Sequence, residues 1–332
     1  MAINIARRKF IAALGGAVAS WPSAAYAQQQ TLPAVGFVSG RSADGSARYL
    51  AAFREGLKAA GYVEGQNVTV EYHWLDGQYG RLAALMADLV RRQVAVIATP
   101  GSDVAAVAAK AATATIPIVF GVGQDPVKLG LVASLARPGG NATGFNFFGE
   151  EVVAKGLGLL HSLLPNAVRL AVLINPANAP IAEATLSEAQ KAASTVGLQI
   201  RILNAMTPGE IDAAFASFAN ERPDALFVSP DGFFSSRSGQ FVTLTARDKI
   251  PAAYWNRDFV AAGGLMSYGT DLAETFYQVG VYTGTILRGT KPADLPVVQS
   301  TKFVFAINHQ TARTLGIEVP PAMLSIADEV IE

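Results

Sequence analysis

Residues 94 to 112 read VAVIATPGSDVAAVAAKAA, a β-branched apolar run that passes through Pro-Gly-Ser-Asp into an alanine-rich segment. Val94 to Ala98 has the length and branching of a buried strand, and Pro100 and Gly101 end it before Ser102 caps the element that follows. A strand therefore feeds a helix N-terminus. Such a terminus carries unpaired N–H groups and the positive end of the helix dipole, which attract an anionic or hydrogen-bond-accepting ligand group. The plainer alternative is that Ser102 satisfies its own helix and holds nothing else.

The pattern recurs. PDALFVSPDGFFSSRSGQF, residues 223 to 241, again reads as strand, Ser-Pro-Asp-Gly loop and helix. Both passages lead into Ile-Pro and a short apolar strand, TIPIVFGVGQDPV from Thr115 and KIPAAYWNRDFV from Lys249. Upstream, VGFVSGRS at Val35 matches LAVLINPA at Leu170, and VTVEYHW at Val68 matches LQIRILNA at Leu198. Helix-period segments, YLAAFREGLKAAG and IAEATLSEAQKAASTVG, separate the paired strands. The chain thus reads as two βαβαβαβ halves of α/β class, each a mostly parallel sheet with helices on both faces.

At 332 residues the chain is long enough for two domains with full cores. A hydrophobic fraction of 51% excludes a disordered chain, and 26 basic against 26 acidic residues offer no surplus for nucleic acid. The absence of cysteine removes thiol catalysis, disulfides, cysteine-based zinc sites and lipid attachment to an N-terminal cysteine.

The N-terminus reads as an export signal: Arg7, Arg8 and Lys9, an apolar core from Phe10 to Trp21, and Ala25-Tyr26-Ala27 before the cleavage point. The paired arginines resemble a twin-arginine signal, with the general secretory route as the alternative. The core is too short for a membrane span and is broken by Gly15, Gly16 and Pro22. Cleavage after Ala27 removes those three basic residues and no acidic one, leaving a slightly acidic, exported protein.

Three longer runs carry a resemblance: IPIVFGVGQDPVKLGLVASLARPGGNATG, FFSSRSGQFVTLTARDKIPAAYWNRDFVAAGGLMSYG and KPADLPVVQSTKFVFAINHQTARTLGIEVPPAMLSIADEVIE. They resemble the ABC transporter substrate-binding family that includes tryptophan- and tyrosine-binding lipoproteins. The resemblance implies a type I periplasmic binding protein fold, with two Rossmann-like lobes joined by three crossing segments. It further implies a small-molecule ligand, an inner-membrane ABC permease as partner, and no catalysis or cofactor. Unlike the lipoprotein members, this chain has no cysteine to lipidate, which implies a freely diffusing protein of a Gram-negative periplasm; a monomer is expected.

Composition places the crossings. The first is expected near 144 to 148, after Gly139-Gly140-Asn141 and Gly144, with a helix from Glu150; the second is Gly263 to Gly269, after which LAETFYQVGVYTGTILRG returns to lobe one. Pro292 to Lys302 leads back to lobe two, where FVFAIN forms a strand and HQTARTLG a helix. The expected division is residues 1–27 as signal, 28–144 plus 265–293 as lobe one, and 147–263 plus 300–332 as lobe two. Crossing strands permit a hinge.

Ligands of open α/β sheets sit outside the carboxyl ends of the strands. The lobe-one loops there nominate Ser39, Arg41 and Ser42, then Pro100, Gly101 and Ser102, then Gly123, Gln124 and Asp125. Lobe two nominates Asn175 and Pro176, Pro230, Asp231 and Phe233, and Tyr254, Trp255 and Asn256. Several have structural alternatives: Asp125 starts the helix of VKLGLVASLA, Asp231 shapes a turn with Gly232, and one of Tyr254 and Trp255 points away. Arg41 pairs with a ligand carboxylate or lies in solvent. For an amino acid, helix N–H groups with Ser42 or Ser102 would take the carboxylate, Asp125 or Asp231 the ammonium, and aromatics the side chain.

Enzymatic readings find little purchase. His73, His161 and His309 share no metal-binding spacing, there is no G-x-S-x-G elbow or Walker loop, and GVGQDP lacks the third glycine of a dinucleotide fingerprint. A hydrolase built from distant residues is the less favoured alternative, and a periplasmic sensor for a membrane receptor would use the same cleft and the same closure.

Overall fold

The computed structural model describes residues 32–332, so the expected export signal lies outside the described residues. From the N-terminal side the elements are β1 (Ala34–Ser39), α1 (Ala47–Ala59), β2 (Thr69–Trp74), α2 (Leu82–Arg91), β3 (Val96–Thr99), α3 (Asp103–Ala112), β4 (Ile118–Val122) and β5 (Ala142–Asn146). There follow α4 (Gly149–Leu163), β6 (Arg169–Ile174), α5 (Ala179–Val196), β7 (Gln199–Asn204), α6 (Pro208–Ala216), β8 (Ala225–Val228), α7 (Gly232–Ser235), α8 (Ser238–Asp248), β9 (Ala252–Tyr254), α9 (Arg257–Ala261) and β10 (Met266–Thr270). The chain ends with α10 (Leu272–Leu287), β11 (Val298–Gln299), β12 (Phe303–Asn308), α11 (His309–Thr314), α12 (Pro321–Ile326) and β13 (Glu329–Ile331).

These strands make a six-stranded sheet, β11-β5-β4-β3-β1-β2, and a seven-stranded one, β13-β12-β10-β9-β8-β6-β7. The first five strands of each half fall in the same spatial order, so the repeat read from the sequence is a repeat of topology. Every pairing is parallel except β10 with β12. Parallel sheets are covered on both faces, and the strands show it. In β3, Val96 and Ala98 join one apolar cluster with Phe37 and Phe53, while Ile97 joins the cluster on the other face with Met86 and Phe120. In lobe two, Val172, Phe227, Met266 and Ile307 form the counterpart.

Three crossings connect the sheets. β5 ends in sheet one and α4 begins at Gly149 against β9 and β10; β10 ends in sheet two and α10 packs on α1, β4 and β5; β11 pairs with β5 and the chain re-enters sheet two as β12. Close backbone approach decides which residues these joints accept. A Cβ on Gly144 would lie 2.0 Å from the Phe120 carbonyl oxygen, and one on Gly269 would lie 1.8 Å from that of Trp255. The seam between α10 and α1 is as tight: a Cβ on Gly280 would fall 2.2 Å from Phe53 O, and one on Gly56 2.1 Å from Tyr277 O.

Two expectations differ from what forms. Met266–Thr270 pairs with β9 and β12 in sheet two, so the stretch from 265 assigned to lobe one begins there only with α10. Glycine patterning marked a joint but carried no information about which sheet the strand joins. The helix expected over VKLGLVASLA is a single turn, Leu129 N–H to Asp125 O and Leu131 N–H to Pro126 O, because Gly130 adopts φ +71° and stops propagation. No helix among the described residues is long and apolar enough to cross a membrane. The whole is the α/β, two-lobed, three-crossing architecture of the type I periplasmic binding proteins.

Candidate functional site

The carboxyl ends of β1, β3 and β4 face those of β6, β8 and β9 across the inter-lobe cleft. Contact is direct: a Cβ on Gly232 would meet Gly40 and the Arg41 side chain at 3.1–3.3 Å, and Ser42 N–H donates to Ser236 Oγ at 2.9 Å. The charged side chains in the buried set of the described residues are three: Arg41 and Asp231 on these loops, and Asp103 at the start of α3.

Arg41 follows β1 and is 2% exposed. Its Nε donates to Ser46 Oγ at 3.1 Å and its Nη2 to Gly45 O at 3.0 Å, with Tyr49 4.4 Å beneath the guanidinium and Asp258 of lobe two 3.6 Å away. Nη1 is buried without a partner. Burial lowers the Arg41 pKa, and Tyr49 and Asp258 pull it back. The second alternative for Arg41, a solvent position, does not hold.

Asp231 is the buried anion of lobe two. It caps α7 through Phe233 N–H at 2.9 Å and Phe234 N–H at 3.3 Å, so the Asp-Gly turn exists, but its carboxylate also accepts Asn178 Nδ2 at 2.8 Å, Asn175 Nδ2 at 3.3 Å and Tyr79 Oη of lobe one at 3.1 Å. All five donors are neutral. Burial pushes its pKa up against the pull of these hydrogen bonds.

The helix that follows VAVIATPGSD answers the question its loop poses. Ser102 Oγ accepts Ala105 N–H at 3.4 Å, and Gly101 and Ser102 N–H both turn to Gly121 O, so the terminus is occupied by its own chain. Asp103, one residue on, accepts Gly123 and Gln124 N–H at 2.9 and 3.0 Å and so pins the loop after β4. Burial pushes its carboxyl up to about 6. Gly123 and Gln124 therefore have their amides spent, whereas Gln124 Nε2 is buried and unpartnered.

Of the other nominated residues, Asp125 accepts Val127 N–H at 2.8 Å at the cleft edge, and Asn256 caps α9 while donating Nδ2 to Ser235 Oγ. Ser39 and Pro100 are buried at their strand ends, Pro230 is buried before Asp231, and Pro176 is exposed. Phe233 is buried beneath Arg237, whose guanidinium lies 5.0 Å above its ring. Tyr254 stacks on Phe259 inside lobe two at 4.3 Å, so Trp255 is the one turned to the cleft, where it stacks on Phe147 at 6.3 Å with Nε1 unpartnered.

Sequence reading missed Tyr79, Asn178, Asp103, Tyr49, Asp258 and Phe147. Asn178 shares its Asn-Pro-Ala-Asn loop with a nominated residue, and Tyr79 follows the Asp76-Gly77 turn signal after β2. Tyr49 donates to Asp258 Oδ2 at 2.5 Å across the cleft.

Residues 35–331 match the family model for ABC transporter substrate binding proteins. The tyrosine-binding protein of Clostridioides difficile (strain R20291) is 27% identical over 271 residues, 80% of this chain and 76% of that protein. Among solved structures, a conserved domain protein from Vibrio cholerae O1 biovar El Tor is 26% identical with a TM-score of 0.80, covering 90% of this chain and 100% of that one. The ABC domain of Streptococcus pneumonia in complex with L-Trp is 24% identical with a TM-score of 0.78, covering 91% and 100%. The chain belongs to the ABC transporter substrate binding protein family.

Proposed function

We propose that this protein is the periplasmic, non-catalytic solute-capturing component of an ABC importer and that its cleft takes an amino acid as the zwitterion. One observation carries the reading. Two buried, opposite charges lie on the cleft loops, one from each lobe: Arg41, which has Asp258 3.6 Å from Nη2 but keeps Nη1 unpartnered, and Asp231, which has only neutral donors. A buried charge is costly unless an opposite one meets it. An amino acid brings both, its carboxylate to Arg41 and its ammonium to Asp231, while Trp255 and Phe147 flank the side chain. The names of the relatives, a tyrosine-binding protein and an L-Trp complex, support the class.

Solute binding then shifts a population: ligand contacts to both lobes favour the closed form, and the permease recognises that form. Calorimetry on refolded protein tests the charge pair. Arg41→Gln and Asp231→Asn each keep hydrogen-bonding capacity and remove one charge, and each is expected to weaken amino-acid binding on the order of 100-fold. Unchanged affinity in both would remove the zwitterion scheme.

A further inference from the structure

We infer that the loop Leu75–Tyr79 of lobe one is a clasp that holds the lobes together through protein contacts alone, independently of the solute. The inference rests on the reading that the lobes open and close.

The loop is firmly anchored at its own end. Leu75 N–H donates to Ser39 O, Asp76 N–H to Arg41 O and Gly77 N–H to Gly40 O, so it sits on the carboxyl end of β1. Asp76 and Gly77 have φ of +49° and +80°, a left-handed pair that suits Asp-Gly and turns the Asp76 carboxylate outward. Three consecutive kinds of contact then reach one short stretch of lobe two, Asp231–Arg237. Arg237 Nη2 donates to both oxygens of Asp76, at 2.8 and 2.9 Å. Gly77 lies so close to Phe233 that a Cβ would be 2.9 Å from its ring. Tyr79 Oη donates to Asp231 at 3.1 Å.

Each contact has a different tolerance, and together they fix one disposition of the lobes. The ion pair acts over a few ångströms and is partly shielded, with 21% and 38% of the two side chains exposed. The glycine seat requires shape: any other residue at 77 would strike Phe233. The phenol reaches a fully buried acceptor, which water would have to satisfy on opening. Asp76 and Arg237 lie outside the set assigned to the solute, so the ion pair is separable from recognition, whereas the Tyr79 contact shares Asp231 with it. Its strength sets the open fraction and hence the apparent affinity for any solute.

The chain contains no cysteine, so Ala84→Cys in α2 and Ala213→Cys in α6, both exposed, accept spin labels without background. The label separation is measured by pulsed electron resonance on refolded protein with no solute added. The expected result is a short distance in the parent protein. Asp76→Ala and Arg237→Ala should each enlarge a longer-distance population roughly fivefold, and the exchange Asp76→Arg with Arg237→Asp should restore the short distance. A parent protein found only at the long distance overturns the clasp, and so does a distribution that none of the single variants changes. Neither result bears on whether solute binds, which the calorimetry decides separately.

Discussion

The indole of Trp255, at the end of β9, stacks on the ring of Phe147, in the first crossing, with the two planes 25° apart. A Cβ on Gly123 of lobe one would touch the Phe147 ring at 2.8 Å, so the pair stands where both lobes and a crossing meet. Aromatic pairs of this kind contribute about 1 kcal/mol beyond burial. Trp255→Leu is expected to weaken binding of L-Trp and L-Tyr about tenfold while changing that of L-Leu little. Calorimetry with the three amino acids checks this, and an equal loss for all three would assign Trp255 a structural role only.

Asp103 predicts a pH dependence of stability. Its folded pKa, about 6, stands above the ordinary 3.8, because burial disfavours the carboxylate more than the Gly123 and Gln124 amides favour it. The folded state therefore holds the proton more tightly than the unfolded one, and this group's contribution falls as pH rises from about 4 to 6, then levels off. The full change is about 3 kcal/mol. Exposed carboxylates run the other way, as with Asp224, which Arg169 holds at about 2. The difference in unfolding free energy between the parent protein and Asp103→Asn isolates the buried group: the parent should lose stability relative to the variant between pH 4 and 6. A constant difference would contradict the assignment.

The helix seam of lobe one predicts a large stability effect far from the cleft. Gly280 and Gly56 let α10 and α1 meet backbone to backbone, and a leucine at 280 must displace one helix. Gly280→Leu should cost about 3 kcal/mol in urea unfolding, with any loss of binding recovered at lower temperature.

Much of the fold was legible because the central strands β1, β3, β4, β6 and β8 are β-branched or apolar runs, and α3, α5 and α7 follow a Pro-Gly, Asn-Pro or Ser-Pro-Asp break. These are local signals. The sheet to which Met266–Thr270 belongs was not legible, since glycines mark the joint without naming the partner strands, β9 and β12, which lie far apart in the sequence. At the cleft, Arg41 and Asp231 were nominated from loop position. Asp103 was overlooked because a first-turn aspartate normally serves its own helix, and Tyr79 because its partner Asp231 lies 152 residues away. Alternation along β9 required one of Tyr254 and Trp255 to face the cleft, but the choice depends on Gly264 and Phe259 leaving a slot for tyrosine inside lobe two.

The central claim is that the cleft recognises both charges of an amino acid, and matched thermal shifts test it most directly. Refolded protein is melted with L-Tyr, with tyramine, which lacks the carboxylate, and with 4-hydroxyphenylpropionate, which lacks the ammonium; the corresponding L-Trp, tryptamine and indolepropionate set is run beside it. A ligand that binds only the folded state raises the melting temperature by mass action. The account predicts a rise with an amino acid and little or none with its two truncated forms. A rise of equal size with either truncated form, or none with any of the six, would contradict it.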